Sequence, residues 1–222
     1  MEGLSWLNCL ILLTWQKIAP MILLMYSMSY PLFLYMIIIA SMLISSIMGL
    51  NQISLRKILA YSSINHIGWM ISSMFFMNSI WMYYFIIYSI ISMNLIWIFL
   101  MFNIFNIKQL ILHYSTNFIV MMSFVLNMMS LGGLPPFLGF FPKWLTIQNL
   151  MYKTHFFLSF SMMMLTLITL FYYMRISYSS LTLTSNKTNY TLKINNSKFW
   201  LNFNNSISIL GLILSTSIFN YL

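Results

Sequence analysis

Long apolar runs separated by short polar turns make up most of the chain. A helix needs roughly 20 apolar residues to cross the hydrocarbon core of a bilayer, and six runs reach that length. They cover residues 4–27, 30–51, 54–76, 79–103, 154–176 and 201–221. This pattern predicts an all-α fold, a polytopic transmembrane helix bundle.

Turn signals support these boundaries. Pro31 opens the second run, Asn51 and Gln52 close it, and Ser54 is placed to cap the third helix. Aromatic residues with a polar edge also recur near the ends of the runs, where an interfacial belt is expected. These are Tyr26, Tyr30, Trp81, Tyr83, Tyr84 and Tyr221.

The segment 118–152 does not fit a single regular helix. As one helix it would be on the order of 50 Å long, and each of its halves is too short to cross alone. Its middle holds Gly132, Gly133, Pro135 and Pro136, which interrupt a helix near 132–136. We therefore expect one discontinuous span made of two half-helices. A break at this depth is tolerated where it lies buried in protein or lines a wet cavity.

The distribution of basic residues favours this broken span. With 118–152 counted as one crossing, the bundle has about seven spans, and the basic residues of the connecting segments fall almost entirely on the side of the N-terminus. That side receives Arg56, Lys57, Lys108, Arg175, Lys187, Lys193 and Lys198, and the other side receives Lys153. The positive-inside rule then places the N-terminus and a loop at 178–199 on the matrix or cytoplasmic side. Residues 104–116 are expected to form a short interfacial piece.

Composition excludes several classes of protein. Hydrophobic residues make up 61% of the chain and charged residues 5%, with Glu2 as the single acid. A soluble domain carries roughly a quarter charged residues, so this chain lacks the polar shell that a soluble fold needs. The cations are dispersed, which argues against nucleic acid as a partner. Cys9 is the single cysteine, so iron–sulfur ligation is excluded, and we expect neither a metal nor a bound cofactor.

Three polar residues lie where the bilayer core is expected. Lys17 is halfway along the first run, Lys143 follows the helix break, and His66 lies roughly 14 Å beyond Lys57 at helical rise. A lysine near a helix end can extend to the interface, but Lys17 is far from both ends. Groups that gain and lose protons at mid-depth form proton relays.

The histidine has a second interpretation. It can be a structural hydrogen-bonding group between helices, and Ser62 and Ser73 lie on a similar face and are its candidate partners. Both interpretations stay open for His66.

Three ordered stretches carry a resemblance. The first is LLTWQKIAP at 12–20; the second is GLNQ at 49–52, which leads into SLRKILAYSSINHIGWM at 54–70; the third is SLGGLPP at 130–136, which continues as GFFPKW at 139–144. In these stretches the chain resembles the insect form of the subunit 2 family of mitochondrial NADH:ubiquinone oxidoreductase (respiratory complex I). The resemblance runs over nearly the whole chain and weakens in 178–222.

The resemblance implies an antiporter-like subunit that couples electron transfer from NADH to ubiquinone to proton translocation. The family's relay lysines correspond to Lys17 and Lys143, and His66 falls within a family motif. It implies a multi-pass protein of the mitochondrial inner membrane, with the other membrane-arm subunits of complex I and the lipid bilayer as partners and no cofactor of its own. Family members carry further helices before this start, with a glutamate and another lysine of the relay, so the sequence is expected to be the C-terminal part of the subunit.

Two other functions remain. A purely structural subunit of the membrane arm would need neither lysine for pumping. A stand-alone cation/proton antiporter would need intramembrane acids, which this sequence lacks.

Overall fold

The protein folds as a bundle of helices. The computed structural model describes residues 1–26, 31–75, 79–114, 118–182 and 206. In that part of the chain the helices are α1 (Trp6–Leu13), α2 (Ile18–Tyr26), α3 (Pro31–Leu50), α4 (Leu55–Met74), α5 (Ile80–Phe102), α6 (Ile107–Tyr114), α7 (Phe118–Gly132), α8 (Phe140–Tyr152) and α9 (Phe156–Thr182). Four helical stretches are long and apolar enough to cross a membrane. The predicted all-α transmembrane fold is confirmed. The predicted span at 201–221 lies outside the described residues.

The first run is interrupted, where the sequence predicted one continuous span over 4–27. A 3₁₀ turn at Trp15–Lys17 separates α1 from α2. Pro20 accounts for this interruption. It has no N–H to donate to the carbonyl of residue 16, and its ring would crowd the same carbonyl in a regular α-helix. The hydroxyl and the backbone N–H of Thr14 both donate to the Leu10 carbonyl at the end of α1, at 2.8 and 3.0 Å.

Helix α4 is the centre of the bundle. It packs most extensively against α3 and also contacts α5, α8, α1 and α9. Small residues allow the close approach: a Cβ on Gly68 would lie 2.8 Å from the Ser41 hydroxyl of α3. The buried serines of these helices bond to carbonyls of their own helix, as Ser72 does to Trp69 at 2.7 Å. Polar side chains are thus accommodated in an apolar interior.

The interruption predicted in 118–152 is present. Helix α7 ends at Gly132, residues 133–139 are not helical, and α8 begins at Phe140. Gly132 is therefore part of α7, whereas Gly133 adopts a φ of +75° that L side chains rarely adopt. Both half-helices pack against α5 and α9, so Gly132 and Gly139 at the two ends of the interruption are buried, whereas Pro135 and Pro136 in its middle are exposed.

Two further expectations differ from the structure. Helix α9 continues through Thr182, so residues 178–182 of the loop predicted at 178–199 are helical; residues 183–199 lie outside the described part. The hydroxyls of Ser179 and Ser180 donate to carbonyls three residues earlier in this helix. Trp81 and Tyr84, predicted for an interfacial belt, are buried inside the bundle, whereas Tyr26 is 87% exposed.

Candidate functional site

Lys143 lies buried in the first turn of α8 and reaches across the helix interruption. Its Nζ donates to the carbonyls of Gly132 at 2.8 Å and Leu131 at 3.3 Å. These carbonyls belong to the last turn of α7, where the helix leaves acceptors unpaired and the macrodipole places partial negative charge. The ammonium group is therefore held by backbone dipoles, and it lies 5.9 Å from the centre of the Trp69 ring.

Lys17 occupies the 3₁₀ turn of the first span. Its side chain is half-buried and its Nζ donates to the Ser63 carbonyl of α4 at 3.3 Å. The same Nζ lies 4.9 Å from the centre of the Tyr88 ring of α5, a cation–π arrangement. Each predicted relay lysine thus lies next to a helix interruption and bonds to a backbone carbonyl.

His66 is buried on α4 and bonds to a tyrosine. Its Nδ1 lies 2.8 Å from the Tyr84 hydroxyl of α5. The prediction that Ser62 and Ser73 bond to His66 was wrong, because their hydroxyls donate to carbonyls of their own helix at 2.7 and 2.6 Å. The Nε2 atom of His66 makes no hydrogen bond to any residue that the structure describes. One ring nitrogen is therefore fixed by Tyr84 and the other is unsatisfied.

The three predicted site residues form one cluster. The ring of Tyr88 lies 4.8 Å from the His66 ring and within the cation–π distance of Lys17, so this tyrosine separates the two. Lys143 and Lys17 both lie near enough to His66 to act on it electrostatically. The bundle therefore brings three proton-binding groups from three different helical segments into one region of its interior.

The aromatic hydroxyls of this region were not predicted from the sequence. Tyr84 and Tyr88 are one helical turn apart on the buried face of α5, and this spacing could have indicated that both face the interior. Tyr84 was instead assigned to the interfacial belt, because it lies near the start of its apolar run. A second missed feature links α4 to α9, where the Asn65 amide donates to the Thr169 hydroxyl at 3.3 Å.

The single acid of the chain lies away from this cluster. The Glu2 carboxylate pairs with the Lys57 ammonium at 2.9 Å, and both side chains are exposed. The hydrogen bond from Lys57 lowers the pKa of Glu2. Next to this pair, the Arg56 guanidinium contacts the rings of Trp6 and Phe105, with centroid distances of 5.1 and 4.5 Å. These residues join the start of α4 to the N-terminal segment.

Comparison with known proteins identifies relatives. A family model described as NADH:quinone oxidoreductase/Mrp antiporter, TM, matches residues 1–169. NADH-ubiquinone oxidoreductase chain 2 of Aedes aegypti is 48% identical over 99% of this chain and 65% of its own length. The protein of the same name from Locusta migratoria is 41% identical over 98% of this chain and 64% of its own length. The chain thus spans just under two thirds of the length of these curated relatives.

Solved structures show the same fold. A chain of respiratory complex I from Thermus thermophilus superposes with a TM-score of 0.70 at 19% identity, covering 84% of this chain and 45% of that one. A chain of the Mrp complex from Dietzia gives a TM-score of 0.54 at 19% identity, covering 67% of this chain and 29% of that one. The predicted resemblance is confirmed by the relatives and the family match. The chain belongs to the transmembrane family of NADH:quinone oxidoreductase and Mrp antiporter subunits.

Proposed function

We propose that this chain is a proton-translocating membrane subunit of respiratory complex I. One observation carries the proposal: Lys17, Lys143 and His66, from three helical segments, lie close together inside the bundle. Charged and titratable groups are costly at this depth and mark ion pathways in membrane proteins. Chain 2 of NADH-ubiquinone oxidoreductase in the insects, to which this chain is 41–49% identical, supports the assignment.

The cluster is suited to passing protons. Positive charges that share a low-dielectric interior repel one another, so loading one of the three groups favours release from a neighbour. Tyr88 lies between Lys17 and His66, and its hydroxyl can both donate and accept a proton. Backbone carbonyls hold each lysine when it is charged: Ser63 of α4 for Lys17, and Gly132 at the end of α7 for Lys143. A proton can therefore occupy several positions along the cluster.

The orientation of the chain is part of the proposal. The relatives and the long apolar helices support a multi-pass protein of the mitochondrial inner membrane. Arg175 lies beside Asn51, Gln52 and Ile107 at one end of the bundle. Lys153 lies two residues before His155, whose Nδ1 lies 2.7 Å from the Tyr35 hydroxyl in the first turns of α3, at the other end. The arginine end, with the N-terminus and residues 183–199, faces the matrix under the positive-inside rule.

The redox chemistry belongs to the rest of the assembly in this proposal. The chain contributes to an NADH:ubiquinone reductase as its proton-translocating part, binds no cofactor, and contacts other membrane-arm subunits and lipid. Oxidation of NADH and reduction of ubiquinone then occur on other subunits, and the lysine cluster responds to them.

Methionine substitution of the two lysines tests the function. Lys17→Met and Lys143→Met keep an extended side chain of similar length and remove the charge. We expect assembly to remain normal on native electrophoresis and the number of protons pumped per NADH oxidised to fall several-fold. Lys153→Met, at an exposed lysine, is the matched control. If both cluster variants assemble and pump like the control, the subunit has a purely structural role.

A further inference from the structure

A cavity lined by both polar and apolar residues opens at the arginine end of the bundle. Its volume is about 320 Å³, enough for several water molecules. The wall includes Asn51, Gln52, Arg175 and Ser179, and Arg175 is exposed. Tyr172 forms its inner boundary and is itself almost completely buried. Water in this cavity therefore reaches the edge of a tyrosine that extends into the interior.

The hydroxyl of that tyrosine bonds to a second tyrosine. Tyr172 donates to the Tyr173 oxygen at 3.4 Å, and the two rings meet edge to face with centroids 4.5 Å apart. Gly49 of α3 makes room for the pair, because a Cβ there would lie 2.9 Å from the Tyr172 ring. The position of the Tyr172 ring is therefore set by close packing between α3 and α9.

The second tyrosine faces the lysine cluster. Tyr173 is buried, and its ring packs against Gly132, where a Cβ would lie 3.6 Å from the ring. The Gly132 carbonyl accepts the 2.8 Å hydrogen bond from Lys143 Nζ. Tyr173 also lies close to the Ser62 hydroxyl of α4 and to Tyr84 and Tyr88. Tyr84 bonds to His66, and Tyr88 lies between His66 and Lys17. The two tyrosines of α9 thus lie between the cavity and the predicted relay.

We propose that Tyr172 and Tyr173 form the proton pathway between the cavity beside Arg175 and the cluster of Lys17, His66 and Lys143. The proposal rests on the proposed function and adds the route of proton access. Each hydroxyl accepts one proton and donates another. A proton from water bonds to the Tyr172 oxygen as its own proton passes to Tyr173, which releases one toward the cluster. The transfer is concerted, so neither tyrosine carries a net charge, and the hydroxyls then rotate back.

Phenylalanine substitutions test the pathway, because they remove each hydroxyl and keep the ring. We expect Tyr172→Phe and Tyr173→Phe, in the assembled complex, to lower the protons pumped per NADH several-fold while native electrophoresis shows normal assembly. Tyr178→Phe, on the same helix with a side chain 53% exposed, is the matched control. If Tyr172→Phe and Tyr173→Phe pump as many protons per NADH as the Tyr178→Phe control, the proposed pathway is wrong.

The lysine variants separate this failure from failure of the proposed function. If Lys17→Met abolishes pumping and both phenylalanine variants pump normally, the pathway is wrong and the relay stands. If Lys17→Met and Lys143→Met both pump normally, the relay is wrong and the pathway falls with it.

Cysteine labelling tests access to the cavity. Gln52→Cys and Ser179→Cys should react with a membrane-impermeant thiol reagent in submitochondrial particles, whose matrix face is outward, with modification of this chain read by mass spectrometry. Cys9 is 1% exposed and should stay unmodified, which provides an internal control. Labelling of neither new cysteine from the matrix face, in particles that pump normally, contradicts the matrix opening of this route.

Discussion

Gly133→Ala tests whether the interruption between α7 and α8 positions Lys143. Gly133 has a φ of +75°, and an L side chain in the left-handed region costs roughly 1–2 kcal/mol. A Cβ there would also lie 2.8 Å from Cδ and 2.9 Å from Nζ of Lys143, so the lysine must move. Loss of one charge-assisted hydrogen bond, to Gly132 or Leu131, adds roughly 1.5–3 kcal/mol.

The two contributions give an upper limit of roughly 2.5–5 kcal/mol, because the displaced ammonium can regain some hydrogen bonding elsewhere. We expect a lower midpoint in thermal inactivation of the assembled complex and a several-fold loss of protons pumped per NADH. Because Lys143 is still present in this variant, a loss of pumping would show that the position of the lysine matters.

The adjacent glycine provides the control. Gly132 lies within α7, and a Cβ there would meet the Tyr173 ring at an ordinary contact distance of 3.6 Å. Alanine is favoured over glycine in a helix by up to about 1 kcal/mol, so Gly132→Ala should be neutral or slightly stabilising. If the two alanine variants have equal thermal stability and equal pumping, Gly133 does not position the lysine.

Three further substitutions have defined outcomes. Tyr84→Phe removes the hydroxyl that lies 2.8 Å from His66 Nδ1 and should lower the proton-to-NADH ratio without changing assembly. Gly139→Ala places a Cβ against a backbone carbonyl of α7 and should reduce the amount of assembled complex on native gels. Glu2→Gln removes the ion pair with Lys57; because the Glu2 pKa is lowered, this pair stabilises the protein at neutral pH and is lost as the pH falls below the ordinary value of 4.5. The variant should therefore have a slightly lower thermal midpoint than the parent at pH 7, and the two midpoints should become equal in acid.

The sequence predicted the helices well where turn residues mark their ends. Helix α3 begins at Pro31 and ends at Leu50, directly before the Asn51-Gln52 turn. The glycine and proline run in the fifth span likewise marked a real interruption, because those residues limit backbone geometry wherever they occur. Ser54 occupies the predicted cap position of α4, but its hydroxyl makes no capping hydrogen bond. The residues at which helices begin and end were thus easier to predict than the hydrogen bonds that those residues make.

Contacts between helices were harder to predict. Lys17, His66 and Lys143 were singled out because polar residues at mid-depth are unusual, and the fold brings them near one another. Their tyrosine partners were missed, because a tyrosine near the end of an apolar run is typical of an interface and its burial depends on the neighbouring helix. The short interruption at Trp15–Lys17 was missed for a different reason: Pro20 alone in an apolar run is compatible with a kinked but continuous helix.

Lys143 is bound by backbone carbonyls of helix α7 and not by the single acid of the chain, and this determines what remains when the lysine loses its proton. A buried lysine paired with a carboxylate leaves an uncompensated anion behind each time it loses its proton, and that anion is costly in a low dielectric. The carbonyls of Leu131 and Gly132 are neutral, so the same loss leaves only two dipoles without a partner. Lys143 can therefore alternate between its charged and neutral forms within this fold without creating a buried negative charge.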